Sequence, residues 1–239
     1  MLRRPSLAAA ITLLVAWTVI TIGGGLLQAG GQAGLDELVT AGVVWGIPAS
    51  AALLLAATAL RGWRRTLGLV APTAWRPALV PVLAVTLLLG LSAVSGLPAP
   101  ATLLLLTVNA AFVGLSEELM FRGVLLSALL ARLSVRRAAL IGAIAFGAIH
   151  STNAIVTGDL GSAIAQSVMA VGMGLWATAI RIRTGSLLVP VVLHALWDLA
   201  LFSVLATGED ARLAVAVSGA AVLLIPVLGI WAWRQLGRA

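Results

Sequence analysis

Residues 101–130 read ATLLLLTVNAAFVGLSEELMFRGVLLSALL, an apolar run of 30 residues broken near its middle by Glu117, Glu118 and Arg122. About 20 predominantly apolar residues suffice to cross the hydrocarbon core of a bilayer as an α-helix. The stretch is therefore long enough to span, and its three charges fall where a span meets no water. A charge at bilayer depth costs about 2.5–3.5 kcal/mol even on a forgiving insertion scale, so such groups face one another or a wet cavity and point to function. Spacing assigns partners. Glu118 and Arg122 are four residues apart on one helical face, which suits a structural ion pair. Glu117 is rotated from Glu118 by about 100° and is free to point elsewhere.

The rest of the chain is built in the same manner. Hydrophobic residues fill 61% of the 239 positions and charged residues only 10%, against about a quarter in ordinary globular sequence. So few charges cannot cover a water-soluble sphere, and lipid must be the main solvent. Eight apolar segments are expected to be helical spans: roughly 6–28, 37–60, 78–97, 101–130, 138–157, 161–180, 186–206 and 212–233. The fold expected is an all-α polytopic membrane helix bundle of about eight transmembrane helices. It forms a single transmembrane domain over 1–239, because no polar stretch is long enough for a second. Arg3 and Arg4 precede the first segment, and no small-x-small cleavage site follows it. It is expected to be retained rather than removed as a signal peptide.

Charge sets the orientation. With the N-terminus in the cytoplasm, 13 of the 15 arginines fall in inside loops: Arg3, Arg4, Arg61, Arg64, Arg65, Arg76, Arg132, Arg136, Arg137, Arg181, Arg183, Arg234 and Arg238. Asp36, Glu37, Asp159, Glu209 and Asp210 fall in outside loops. This is the positive-inside pattern, and it places both termini in the cytoplasm. Trp63, Trp75, Trp231 and Trp233 flank the arginine groups as an interfacial belt. The net charge of +7 thus belongs to topology and the lipid bilayer, and nucleic acid is not expected as a partner. The chain has no lysine, which suggests GC-rich coding and a bacterial inner (plasma) membrane. It has no cysteine, which excludes disulfides, thiolate metal sites and cysteine nucleophiles.

Once the loops are set aside, the ionisable residues left are Glu117, Glu118, Arg122, His150, His194 and Asp198, and both histidines of the chain are among them. At 1.5 Å rise per residue, Glu117, His150 and His194 fall at compatible depths on the fourth, fifth and seventh segments. His194 and Asp198 are four residues apart, close enough for the carboxylate to orient the imidazole or to join it in binding a ligand. Phe146, one turn before His150, would wall it on the apolar side. A buried carboxylate can serve as general base, and two imidazoles can hold water, donate to an oxyanion or bind a metal. Zinc or another divalent ion on His150, His194, Asp198 and Glu117 is one possibility, and a metal-free site another. No HExxH, P-loop, GxGxxG or serine nucleophile motif is present. The same cluster would also suit the relay of a small membrane transporter or a non-catalytic scaffold. Asn153 and Gln166 are read as helix-packing residues, and Gly172 and Gly174 as sites of close helix approach.

The motifs resemble a known family. Ser116–Gly123 reads SEELMFRG and matches the EExxxR signature of the CAAX-protease and bacteriocin-processing family of membrane proteins. Phe146–His150, FGAIH, matches that family's FxxxH, and His194–Asp198, HALWD, is similar to its HxxxN with Asp in place of Asn. The resemblance covers about 101–206. It implies an intramembrane endopeptidase acting on a membrane-associated peptide or protein substrate, in CAAX-type processing or bacteriocin-related maturation. It implies that Glu117 activates the hydrolytic water with His150 assisting. His194 and Asp198 would then complete the pocket at the oxyanion or at a metal, with Glu118 and Arg122 in support. Asp198 is a poorer oxyanion donor than Asn unless it is protonated.

Because the chain is free of cysteine, single cysteines report topology cleanly. In intact cells, a membrane-impermeant maleimide should label a Gly161→Cys variant and leave an Arg132→Cys variant unlabelled until the membrane is opened. The reverse pattern would invert the orientation.

Overall fold

The computed structural model describes residues 3–94, 96–207 and 224–236. Those residues are helical throughout their regular structure, with no strand among them. The helices are α1 (Leu7–Ala29), α2 (Leu35–Ala41), α3 (Gly46–Arg61), α4 (Arg64–Leu67), α5 (Leu79–Val94), α6 (Pro100–Glu118), α7 (Leu126–Leu129), α8 (Val135–His150), α9 (Asn153–Thr157), α10 (Leu160–Thr184) and α11 (Leu188–Thr207). A 3₁₀ turn, Arg76–Ala78, leads into α5, and residues 224–235 form a further helix. Six stretches are long and apolar enough to cross a membrane: Leu7–Ala29, Arg76–Val94, Pro100–Leu129, Val135–Thr157, Leu160–Thr184 and Leu188–Ala206. The protein is an integral membrane protein. The eighth expected span, 212–233, lies partly outside the described residues, as do Glu209, Asp210, Arg212 and Arg238.

The second expected span, 37–60, is not one helix. α2 and α3 meet at 80° across a short break. The sequence of the break carries the cause: Gly42 and Gly46 favour irregular backbone, and Pro48 in the first turn of α3 suits a helix start. Backbone released from helical pairing needs partners in an apolar environment, and Asn109 of α6 supplies them. Its Oδ1 accepts from Val44 N–H at 3.0 Å, and its Nδ2 donates to the carbonyls of Val39 at 3.0 Å and Gly42 at 2.9 Å. One buried amide thus fixes α2 against the bundle.

Other helix ends follow ordinary capping. Ser6 caps α1 by accepting from Ala9 N–H, and Asp159 caps α10 by accepting from Ser162 N–H. α8 stops at His150, where the hydroxyls of Ser151 and Thr152 donate to the carbonyls of Ala148 and Ile149. The fifth expected span is therefore a helix, a turn and the short helix α9. The fourth runs from α6 through a buried π-helical turn, Leu119–Leu125, into α7. Such wide turns recur at functional sites.

Small residues draw the helices together. A Cβ on Gly114 of α6 would meet the Val191 carbonyl of α11 at 2.7 Å. A Cβ on Gly174 of α10 would meet Ala143 Cα of α8 at 2.8 Å, and one on Gly172 would meet Pro226 Cα at 2.6 Å. Backbone contact of this kind is the normal mode of helix association in lipid. Of the tryptophans read as a belt, Trp75 and Trp231 are exposed, and Trp233 stacks under Arg136 at 4.3 Å. Trp63 departs from it. It is buried beside Leu67 and Leu54 in the core that α1, α3, the π-helical turn and α7 share.

Replacing Asn109 by leucine would strand one N–H and two carbonyls. The expected loss is about 1–3 kcal/mol of stability, read as a lower unfolding midpoint in a denaturant titration of detergent-solubilised protein. A midpoint equal to that of the wild type would remove Asn109 from its role as the clamp on α2.

Candidate active site

The close α6–α11 contact at Gly114 sets the faces carrying Glu117 and His194 against each other, and the α8–α10 contact brings in His150. Glu118 is fully buried at 0% exposure, and Arg122 at 2%. The Arg122 Nη1 atom stands 3.0 Å from Glu118 Oε1, as their spacing requires. The contact is a charge pair more than an aligned hydrogen bond. The guanidinium also lies over the Phe146 ring, 4.0 Å from its centre. Glu118 has a second partner that helical spacing does not show. His194 Nδ1 lies 2.8 Å from the same Oε1 and donates to it. Asp198, expected beside this imidazole from its i,i+4 spacing, is there as well, on the other ring nitrogen. Glu118 holds Nδ1, and Asp198 Oδ2 lies 3.5 Å from Nε2 on the other side.

His150 is held in a parallel way. Its Nδ1 donates to the Phe146 carbonyl at 2.8 Å, and its ring packs edge-on against Phe146 with centroids 4.6 Å apart. Fixing Nδ1 on each ring turns both Nε2 atoms inward. They meet one carboxylate. Glu117 Oε2 is 3.7 Å from His194 Nε2 and 4.0 Å from His150 Nε2. That oxygen is buried and accepts no hydrogen bond from the described residues.

Glu117, His150, His194 and Asp198 form the ionisable part of a cavity of about 270 Å³. Its remaining walls are mostly apolar and come from α1, α2, α3, α6, α10 and α11, with Ile22, Leu38, Val44, Val113, Met173 and Phe202 among them. Asn153 and Gln166, read from sequence as packing residues, also line it. Ser116, next to Glu117, is pinned from behind. It accepts from Trp17 Nε1 at 2.7 Å and lies 2.8 Å from the Ser50 hydroxyl. Neither that anchor nor the Glu118–His194 bond has a short-range sequence signal, since each joins residues dozens of positions apart.

The charge balance is informative. Three carboxylates, Glu117, Glu118 and Asp198, face one guanidinium, Arg122. Uncompensated charge is costly away from water, so neutrality calls for two protons shared among the carboxylates and imidazoles. A cluster of that kind can accept and release protons, as acid–base chemistry requires. The donor set includes zinc-ligand types, but its spacing is wide. A nitrogen and an oxygen ligand at 2.0–2.2 Å from zinc stand about 3.3–3.5 Å apart in a tetrahedron, whereas Glu117 lies 3.7 and 4.0 Å from the two imidazoles. Among the described residues no group of three or more His, Cys, Asp or Glu has the geometry to hold a metal ion. The residues as placed do not fit one.

No curated protein and no solved structure matches the chain. A family model does, over the stretch that carries every ionisable residue of the site: residues 99–200 match the model described as "Rce1-like: Type II CAAX prenyl endopeptidase Rce1-like".

Proposed function

We propose that the protein is an intramembrane endopeptidase in which Glu117 activates water against a peptide bond of a membrane-associated substrate. The observation that carries this reading is the meeting of Glu117 Oε2 with the Nε2 atoms of His194 and His150 at 3.7 and 4.0 Å. Each gap is wide enough to seat one oxygen atom about 2.8 Å from the carboxylate oxygen and from the imidazole nitrogen, the ordinary hydrogen-bond distance. A water there donates one proton to Glu117 and the other to His150 Nε2, leaving its lone pair for the substrate carbonyl.

The step balances simply. Glu117 takes a proton as the water oxygen bonds to the carbonyl carbon, and the carbonyl electrons move to an oxyanion. Collapse of that intermediate breaks the C–N bond, and the proton held by Glu117 passes to the leaving nitrogen. The products are a carboxylic acid and an amine. His194 and Asp198 border the oxyanion, and one of the two cluster protons placed between them stabilises it. Glu118 and Arg122 act through His194, by fixing its ring. The Rce1-like match supports the protease class and a CAAX-type substrate, and the apolar walls suit a substrate delivered from the bilayer. The Arg-rich loops suit action in a bacterial inner membrane with those loops in the cytoplasm.

Removing the base should be severe. In liposomes, Glu117→Ala should lower kcat by about 10²–10⁴-fold, while Asp198→Asn, which offers an N–H to the oxyanion, should keep activity. A chelator that strips tightly bound zinc should leave wild-type cleavage unchanged. Cleavage by Glu117→Ala at the wild-type rate would put the base elsewhere, and loss of activity on chelation would restore a metal.

A further inference from the structure

The chamber contains one more feature that the hydrolytic step does not use. Asn153, at the start of α9, and Gln166, in the second turn of α10, line it alongside Glu117 and His150. Asn153 Nδ2 donates to Gln166 Oε1 at 2.9 Å. A primary amide carries two N–H donors and a carbonyl acceptor, so this single bond leaves Asn153 Oδ1 and Gln166 Nε2 free to act. No other hydrogen bond among the described residues engages these two amides, and both residues are half-buried, open to the chamber. A tie between two helices accounts for the one bond. It leaves a free acceptor and a free donor, side by side, on a wall shared with Ile22, Val156 and Met169.

Each residue of an extended peptide brings one main-chain N–H and one carbonyl, and both need partners once they leave water. Recognition through the main chain, with pockets for alternate side chains, is a recurrent way of holding such a peptide. We infer that Asn153 and Gln166 form a docking pair for the main chain of an extended peptide, with Asn153 Oδ1 accepting from a peptide N–H and Gln166 Nε2 donating to a peptide carbonyl. Apolar side chains of the same peptide fill the remaining walls. The bond so presented to Glu117 is cleaved only if the hydrolytic reading above holds. The docking itself does not depend on it.

The probes are fluorescent decapeptides of Leu, Ala and Val, one series with a single N-methyl at successive positions and another with a single CH₂ in place of a carbonyl. Binding is measured by anisotropy to full-length Glu117→Gln protein in nanodiscs. One N-methyl position should weaken binding about 3–10-fold, the range for a single net hydrogen bond. Adding Asn153→Leu should cost a similar factor and abolish the penalty at that N-methyl position. Gln166→Met should do the same for one position of the CH₂ series, so that either variant suffices should the other fail to fold. A helix tie alone leaves both penalties in place, and penalties that persist in the variants would overturn the docking pair. Failure of every peptide to bind would overturn it too. Wild-type protein is given the same peptides: binding with the coupled penalties but no cleavage sinks the hydrolase reading alone, and cleavage with uncoupled penalties sinks the docking pair alone.

Discussion

A carboxylate sealed from solvent on both sides governs this structure. Glu118 is at 0% exposure, and its Oε1 alone meets Arg122 at 3.0 Å and His194 at 2.8 Å. Removing one member of a buried pair costs about 3–5 kcal/mol, because the charge left behind has no water to turn to. The three residues therefore have to occupy their places together. Since two of them sit at the end of α6 and in the following π turn, and the third sits on α11, the pair fixes both the spacing and the rotation of those helices. The placement of His194 relative to Glu117 is a consequence of that constraint.

The same rule acts on the backbone. A chain in lipid keeps its N–H and carbonyl groups paired within helices unless something else pairs them, and here the break between α2 and α3 is paired by Asn109. The 80° bend lets Leu38, Val39 and Val44 close over the chamber from one side, while α1, α10 and α11 close it from the others. Polar groups at one end and apolar walls around them limit how much water shares the site with a peptide. Electrostatic contacts within it are stronger for that reason.

Much of this architecture is legible in the sequence because membranes penalise exceptions. Glu117, Glu118, Arg122, His150, His194 and Asp198 stand out as ionisable residues inside apolar segments, and all six lie together in the structure. The i,i+4 rule finds Glu118–Arg122 because both partners share a helix. It also brings His194 and Asp198 together, 3.5 Å apart here, but it cannot find Glu118–His194, which joins residues 76 positions apart. The span 37–60 reads as continuous by hydropathy, although Gly42, Gly46 and Pro48 carry the break. The lone Asn109 in an apolar stretch of α6 is the matching signal, and its meaning emerges only once the break it serves is seen. Glycine contacts are partly visible: Gly174 meets α8 as expected, whereas nothing local singles out Gly114.

Asp198 separates this site from one built on asparagine. An amide at that place would donate an N–H without carrying charge; a carboxylate adds a negative charge 3.5 Å from His194 Nε2. With Arg122 as the sole guanidinium of the cluster, each added carboxylate raises by one the number of protons the buried groups must hold to stay neutral. On the hydrolytic reading that is a change of chemistry more than a loss. The donor at the oxyanion becomes a mobile proton shared by Asp198 and His194, in place of a fixed amide. Such a proton stabilises the oxyanion only while it stays in the cluster, so the cost of burying Asp198 is tied to keeping bulk water out of the chamber.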